Sequence, residues 1–506
     1  MKKAQTIRLT YFILILVSII IVSCSNSKND FVEFLDAKEA LYEDISVQMG
    51  TAYWNLYSDE AIADLETPKL RYAELYNNDT LSNLIDEWYN KRSKIKDTNL
   101  KRRVELWRNI LTAAKINYSN DNLKIQNELE IWLAEEDDAA GKPTQEEMKA
   151  MVIKLMHQRN EMAQSMGYDN YGELILEVTD IGYDWLIEFT EIIDERTLEP
   201  YKKLLEDYKI LENKTEINYI DAFSLVKQYF ANQIVPEVTS DSMEIVMSMI
   251  LEGIGINFGD LPVRSVENEM PPGVLGQGIA VQIPNDFRIA LLPGLDIQTW
   301  MHELGHGLQA MNTEIQSPIL KEYEWSLGSD CGGYAEGMAE TSAKFASTAE
   351  WAKHLSLLTE DEIASMINKA NMYRPVYLRF WLNLFMFEIE LYNDLNQDPD
   401  ELRRQIAQKY LLLDNPPEKV RSVVDMAIVS YPFYTQNYTI AEVLSWQIHQ
   451  TLEEKFGKDY VLNPSVGEFL KEFFYKNGEL LRWQDRLRNA TGSNLDLDGY
   501  LTHFGL

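Results

Sequence analysis

The run His302-Glu303-Leu304-Gly305-His306 constrains this chain more than any other stretch of its sequence. Two histidines four residues apart project from one face of an α-helix, one turn apart, so both imidazoles can reach a single metal ion. Glu303 directly follows the first histidine and can hold and deprotonate a water molecule beside that ion. The motif therefore predicts a metallopeptidase site. The alternative for the motif alone is a surface helix with two solvated histidines.

The residues around the motif predict a helix that is buried along one side. Asp296 can cap its N-terminus, and an apolar stripe at helical spacing comprises Ile297, Met301, Leu304 and Leu308. Gly305 and Gly307 each cost a helix about 1 kcal/mol relative to alanine. A helix that tolerates both glycines is expected to pack closely against a neighbour.

A catalytic zinc site usually has three protein ligands and leaves a fourth position for water. The acidic candidates downstream of the motif are Glu314, Glu322, Glu324, Asp330, Glu336 and Glu340. We choose Glu336 as the third ligand, because it lies on a predicted helix rich in small residues that can approach the first helix closely. Glu340, one turn further on, is expected to orient a ligand histidine through its free ring nitrogen. Glu324, in a shorter loop, is the competing ligand. The segment from Glu324 to Gly333 is expected to form an irregular loop, which Gly328, Gly332 and Gly333 allow.

The chain resembles the angiotensin-converting enzyme family of zinc peptidases, whose architecture the related thimet-type oligopeptidases share. The motifs that carry the resemblance are His302–His306, Ala335–Glu340, Ser347-Thr348-Ala349-Glu350, Asp286-Phe287-Arg288-Ile289 and the helix from Tyr438 to His449. It covers roughly residues 270 to 490. The resemblance implies a mainly α fold, with two helical halves flanking a deep substrate cleft and a small β-hairpin beside the zinc site.

The same resemblance implies roles for particular residues. His302, His306 and Glu336 would hold one Zn²⁺ per chain, with Glu303 as the general base. Tyr438 would donate to the oxyanion, and Tyr434, one turn earlier, is the second choice. Residues Gly276, Gln277 and Gly278 fall where the family's strand pairs with the substrate backbone, which would make short peptides the substrates.

The chain also departs from that family. Leu275 and Ile428 stand where family members carry histidines, and Met426 and Thr435 replace a lysine and a tyrosine that bind a substrate carboxylate. Asn437 replaces an arginine that is linked to chloride. Recognition of a peptide C-terminus is therefore not visible. Peptidyl-dipeptidase or carboxypeptidase action and endo-oligopeptidase action are equally open.

The N-terminus predicts an exported bacterial lipoprotein. A basic start is followed by an apolar run from Leu9 to Val22, and the run ends at Cys24. We expect a signal peptide over residues 1–23, lipidation of Cys24, a polar tether over 24–30 and attachment to a membrane through the lipid. Ser25 after the cysteine favours the outer membrane. An uncleaved membrane-spanning anchor is the alternative.

Composition narrows the remaining possibilities. The net charge of -33 argues against nucleic acid as a partner. Cys331 is the only cysteine after Cys24, which excludes an intrachain disulfide in the mature chain; we expect a buried or loop thiol. Residues 31–506 show no linker or repeat and are expected to form one domain.

The rival function is a catalytically inactive, lipid-anchored protein that binds peptides. Such a protein would be expected to have lost a residue of the motif, whereas His302, Glu303 and His306 are all present.

Secondary structure follows from periodicity and turn residues. Apolar spacing predicts helices over residues 99–133 and 149–166, with Thr144 and Glu147 as a capping box. Residues 135–138 and 141–143 predict a turn. An alternating stretch from Gly276 to Leu292, interrupted at Pro284-Asn285, predicts a β-hairpin.

Overall fold

The computed structural model describes residues 28–506 except 135–140, 235–236, 272–273, 329–330, 356–357 and 415–422; of residues 2–27 it describes the helical backbone only. The described chain is mainly α-helical, as predicted. The helices are α1 (Lys2–Ser58), α2 (Glu66–Tyr76), α3 (Asp79–Asn90), α4 (Thr98–Asn117), α5 (Asn120–Ala134), α6 (Gln145–Ser165), α7 (Tyr171–Val178), α8 (Tyr183–Leu211), α9 (Tyr219–Ala231), α10 (Met243–Gly253), α11 (Ile297–Met311), α12 (Gly332–Ala346), α13 (Ala349–His354), α14 (Glu360–Asn393), α15 (Pro399–Leu411), α16 (Met426–Ser430), α17 (Gln436–Phe456), α18 (Ser465–Leu470), α19 (Trp483–Thr491) and α20 (Leu497–His503).

Most of the expected helix boundaries are confirmed. The Thr144 side chain accepts from the Glu147 amide, and the Glu147 carboxylate accepts from the Thr144 amide, which completes the capping box of α6. The predicted helix over 99–133 is divided between α4 and α5 at Tyr118 and Ser119. The turn expected over residues 135–138 lies outside the described residues.

The small sheet contains the predicted hairpin and one strand that the sequence did not indicate. Its strands are β1 (Val263–Glu267), β2 (Gly276–Gln282) and β3 (Asp286–Leu291), in the order β1-β3-β2. β2 and β3 pair antiparallel with Gly276 opposite Leu291, whereas β1 pairs parallel to β3 with Val263 opposite Phe287. β2 is therefore an edge strand of this sheet.

Helices cover both faces of the sheet. Gly50 of α1 lies against β2, where a Cβ atom would come within 3.0 Å of the Val281 Cα. On the other side, Gly307 of α11 lies against the Phe287 ring of β3, where a Cβ would come within 2.6 Å. The sheet is thus held between an N-terminal helix and the helix that carries the two histidines.

Three helices pack closely to form the centre of the fold: α11, α12 and α17. A Cβ on Gly305 would lie 2.6 Å from the Ala339 Cα, so α11 and α12 approach with almost no side chain between them. On its other side α12 lies against α17, with Gly333 against Ile440 and Gly337 against Leu444. The expectation that small residues allow a close helix contact is confirmed for Gly305. Gly307 packs on the sheet instead.

One expectation about glycines was wrong. Gly332 and Gly333 were expected to allow an irregular loop, but they form the first turn of α12. Glycine is required at these positions because α17 packs against the first turn of α12. A Cβ on Gly332 would lie 2.3 Å from the side-chain amide nitrogen of Asn437. Gly328 does lie in the irregular segment before α12, with a φ of +88°. Cys331 caps α12 and is buried, as expected.

The C-terminal helix is attached to α17 through buried charges. Glu442 of α17 accepts from the Tyr500 hydroxyl of α20 at 3.0 Å and binds the Lys344 ammonium at 2.8 Å. Arg374 of α14 forms an ion pair with the same carboxylate, and its guanidinium lies over the Phe504 ring at 3.5 Å. The last helix is therefore part of the central body.

Among the residues whose side chains are described, no helix is long and apolar enough to cross a membrane. The expected signal peptide, Cys24 and residues 24–27 of the tether lie outside the residues whose side chains are described.

The α11–α12 contact gives a first prediction. Gly305→Ala should destabilise the metal-free protein by about 1–3 kcal/mol, because the added methyl group overlaps the Ala339 backbone and the neighbouring helix must move. This is the opposite sign from the gain of about 1 kcal/mol that alanine gives in an open helix. Urea unfolding of the metal-free protein measures the difference.

Gly259→Ala is the control, because its new methyl group meets only one side-chain atom, at 3.5 Å. A Gly305→Ala protein as stable as the parent would contradict the described packing.

Candidate metal site

Helix α11 places both histidines of the motif toward α12. The Asp296 carboxylate accepts from the Thr299 amide at 2.8 Å and fixes the first turn of the helix. The apolar stripe from Ile297 to Leu308 is buried, as the sequence predicted. The rings of His302 and His306 lie 5.2 Å apart at 83° to each other, which leaves each with an edge directed at the gap between the helices.

Glu336 of α12 lies across that gap. Ligand atoms of His302, His306 and Glu336 all lie within 4.8 Å of one another. The Glu336 Oε2 atom is 3.3 Å from the His302 Nε2 atom. Glu324 lines a cavity beside His306, but its carboxylate is not part of this group.

This arrangement fits a divalent metal ion. Two ligand atoms bonded to one zinc ion at about 2.0 Å and a tetrahedral angle lie about 3.3 Å apart, which matches the observed separation. Glu336 Oε2 is a buried oxygen without a hydrogen-bond partner, an expensive arrangement unless a cation completes it. Nitrogen and carboxylate donors of this kind suit zinc. These three side chains can therefore hold a metal ion.

A second layer of hydrogen bonds fixes the two donors nearest the gap. Glu340 Oε1 lies 3.2 Å from His302 Nδ1, which leaves Nε2 of the ring free to face Glu336. The Tyr434 hydroxyl donates to Glu336 Oε1 at 2.5 Å, which leaves Oε2 to face the histidines.

The pKa values of His306 and Glu336 favour the neutral ring and the charged carboxylate that metal ligands need. Burial lowers the pKa of His306 to about 4, so its ring is neutral and can act as a ligand. Burial alone would raise the pKa of Glu336, but the close contact with His302 Nε2 and the charges of both histidines lower it to about 2. Burial also opposes the charge on His302, yet its close contacts with the Glu336 and Glu340 carboxylates raise its pKa well above the ordinary value. A bound cation would compete with that proton.

Glu303 is held between α11 and the edge strand β2. Its side chain is buried, and a Cβ on Gly276 would lie 3.1 Å from its Oε1 atom. The Gly278 amide donates to the carboxylate, while burial raises the pKa of Glu303 to about 7. The two glycines thus leave room for the carboxylate to lie directly against the strand backbone.

Two tyrosines face the site from the start of α17. Tyr434 contacts Glu336 directly. The Tyr438 ring lies edge-on to the Tyr434 ring, with the ring centroids 5.9 Å apart. The Tyr438 ring also stacks on Trp381 at 4.4 Å. Burial and then the charge of Glu336 raise the pKa of both hydroxyls well above the ordinary value, so both remain donors. The sequence offered Tyr438 first; the structure gives Tyr434 the direct contact.

The other residues named from the sequence lie around this centre. Gln277 of β2 donates from its side chain to the Gly278 carbonyl at 3.2 Å. Leu275, just before β2, is largely exposed, whereas Ile428 is buried. Asn437 is buried against Gly332.

The arrangement of helices and donors is similar to that of known helical metallopeptidases. Residues 279–506 match the model of peptidase family M3. This segment contains the two histidines, Glu303, Glu336 and both tyrosines. No curated protein matches the chain by sequence. The narrower resemblance to the angiotensin-converting enzyme family stays a prediction.

Solved peptidases share the whole fold. A carboxypeptidase from Pyrococcus furiosus has a TM-score of 0.65 at 15% identity, over 94% of this chain and 98% of that one. The M32 carboxypeptidase from Deinococcus radiodurans R1 has a TM-score of 0.65 at 14% identity, over 94% and 99%. PZ peptidase A has a TM-score of 0.66 at 14% identity, over 94% and 92%. At these identities the likeness establishes the fold, including helical N-terminal residues that lie outside the family match.

The third ligand gives the second prediction. Glu336→Ala should lower zinc affinity by more than about a hundredfold, because it removes a donor that faces both histidines. Glu340→Ala should lower the affinity by about 10- to 100-fold, because it removes the hydrogen bond to His302. Titration of the metal-free parent and the two metal-free variants with zinc, against a competing chelator, measures the three zinc affinities on one scale.

Glu324→Ala is the matched control: the same change at a carboxylate that lines a cavity beside His306 but does not face both histidines should leave zinc affinity within about threefold of the parent. A large loss confined to Glu324→Ala would overturn the choice of Glu336.

Proposed function

We propose that this protein is a zinc-dependent metallopeptidase that hydrolyses peptide bonds in short peptides. The observation that carries the proposal is the convergence of His302, His306 and Glu336 on one point, with Glu303 beside them against an edge strand. The peptidase family M3 match over the same residues supports it.

His302, His306 and Glu336 would hold the ion. When bound, zinc supplies a Lewis acid and lowers the pKa of a water molecule enough for attack on a peptide carbonyl. Glu303 takes the proton of that water and later delivers it to the leaving amine. A pKa near 7 suits both transfers.

The tyrosine hydroxyls supply the second polar element. As the carbonyl carbon becomes tetrahedral, negative charge develops on its oxygen, and a preorganised donor stabilises that charge. Tyr438 is the donor that the sequence suggested. Tyr434 lies against Glu336, but its single proton is donated to that carboxylate, so its role in this structure is to orient the Glu336 ligand.

Strand β2 accounts for the choice of substrate. It lies at the edge of the sheet, and the glycines at its start present backbone rather than side chains to Glu303. A peptide that pairs with this strand would be held through its own backbone, with little demand on its sequence. Such binding requires an extended peptide. Backbone pairing with β2 is equally compatible with exopeptidase and endopeptidase action.

The rival function, a peptide-binding protein without catalysis, has no observation in its favour. Glu303 is intact and is surrounded by the groups that a base needs.

The general base gives the third prediction. Glu303→Gln should retain zinc and fold but lower kcat by about 10²- to 10⁴-fold, because the amide cannot accept the proton. Mass spectrometry of digests from a mixed peptide library, with zinc analysis of the same samples, measures both properties.

Glu314→Gln makes the same chemical change at an exposed carboxylate and should behave as the parent. Unchanged turnover in Glu303→Gln would exclude the mechanism, and a parent protein that binds peptides without cleaving them would favour the rival function.

We also propose that the protein is attached to a membrane by lipid on Cys24, and this gives the fourth prediction. Cys24→Ala should abolish labelling with a radioactive fatty acid and move the protein from the membrane to the soluble fraction. Cys331→Ala, which changes the buried thiol, is the control and should fractionate as the parent. Membrane association of unlabelled Cys24→Ala would indicate a spanning anchor.

A further inference from the structure

The turn between α16 and α17 is held in an unusual conformation. Phe433 has a φ of +57°, in the left-handed region, which is unfavourable for a residue with a large side chain. The residue directly after it is Tyr434, whose hydroxyl reaches Glu336. Whatever stabilises Phe433 in this conformation also determines where the Tyr434 side chain points.

Glu388 of α14 makes the contact that fixes the backbone of the turn. Its Oε1 atom accepts a hydrogen bond from the Phe433 amide at 3.0 Å, and its side chain is only 5% exposed. Burial raises the pKa of Glu388 to about 8, so the group is largely a neutral acid at pH 7. Its carbonyl oxygen can accept the bond in either state.

Arg159 of α6 holds the segment just before the turn. It is 1% exposed, and its Nη2 atom donates to the Val429 carbonyl at 2.8 Å. Its Nη1 atom lies 3.4 Å from the Ile428 carbonyl. The guanidinium also lies 5.2 Å from the centre of the Tyr171 ring. Two buried side chains from two different helices thus bind the backbone on either side of Tyr431.

The Phe433 ring completes the attachment. It fills a space against α7, where a Cβ on Gly172 would come within 2.5 Å of the ring, and it lies 5.0 Å from the Tyr392 ring. The Phe433 carbonyl accepts from the Gln436 side chain. The amide, carbonyl and ring of one residue are all held from outside the turn.

We propose that Glu388 and Arg159 are positioning residues, which hold the turn so that the Tyr434 hydroxyl stays against Glu336. Burying a carboxyl group costs free energy that an apolar residue at the same place would avoid. Here the group accepts a bond from an amide in a strained turn that serves the metal site. The kinetic part of the test rests on the proposed peptidase function.

The test is a double-mutant cycle between Glu388 and Tyr434. Glu388→Leu should lower kcat by about 10- to 100-fold, with KM within about threefold and zinc content unchanged, because the hydroxyl that orients Glu336 is displaced while all three metal ligands remain. Glu388→Gln keeps an acceptor oxygen and should stay within about threefold of the parent. In a Tyr434→Phe background, Glu388→Leu should have an effect below about twofold, because the hydroxyl it positions is absent.

A control and a second measurement separate this role from simple loss of stability. Glu360→Leu makes the same change at an exposed position of α14 and should behave as the parent. Amide hydrogen exchange of the metal-free protein should be at least about tenfold faster for the peptide containing Phe433 in Glu388→Leu, and unchanged in Glu388→Gln.

The exchange experiment needs no peptidase activity. If the parent cleaves no peptide but exchange changes as stated, the proposed function fails and the positioning role stands. Unchanged exchange in Glu388→Leu would overturn the positioning role. So would equal losses in the Gln and Leu variants, or a full loss from Glu388→Leu in the Tyr434→Phe background. If Glu388→Leu does not fold, Arg159→Lys takes its place, because the shorter side chain replaces the two nitrogens that bond the Ile428 and Val429 carbonyls with a single one. The exchange measurement and the Tyr434→Phe background then give the same two decisive outcomes.

Discussion

The metal site depends on one close contact between helix backbones. Gly305 allows α11 to approach the Ala339 backbone of α12, and only at that separation can a carboxylate on α12 reach the two imidazoles on α11. A larger residue at position 305 would have to push the helices apart. The pair of helices is supported on one side by the sheet and on the other by α17. Packing density therefore sets the geometry of the donors before any metal is considered.

The polar groups of the site are arranged in pairs that each leave one atom directed inward. Glu340 occupies one nitrogen of His302, and Tyr434 occupies one oxygen of Glu336. In each case the remaining atom faces the gap between the helices. Orientation by an outer partner reduces the freedom that the donors would lose on binding a metal ion.

Much of this could be predicted from the sequence, because the signals were local. The spacing of His302 and His306, the cap at Asp296 and the hairpin turn each lie within a few residues, and all three elements formed as expected. Strand β1 was missed, because a parallel partner is distant in the chain and its short sequence carries no turn signal. Gly332 was misassigned to a loop, because its small size is required by Asn437, a neighbour in space only. The contact between Glu388 and the Phe433 amide likewise joins two distant segments, and no sequence pattern announces it.

The attachment of α20 to α17 has a consequence for the order in which the protein is made. Glu442 lies on the helix that carries Tyr438, and its buried carboxylate obtains one of its hydrogen bonds from Tyr500, which is 58 residues later in the chain. A nascent chain that lacks α20 leaves Arg374 without the Phe504 ring and Glu442 without that hydroxyl, so the helix cannot complete its burial. Until α20 has been synthesised, the helix that carries Tyr438 therefore lacks part of the packing that the folded protein gives it.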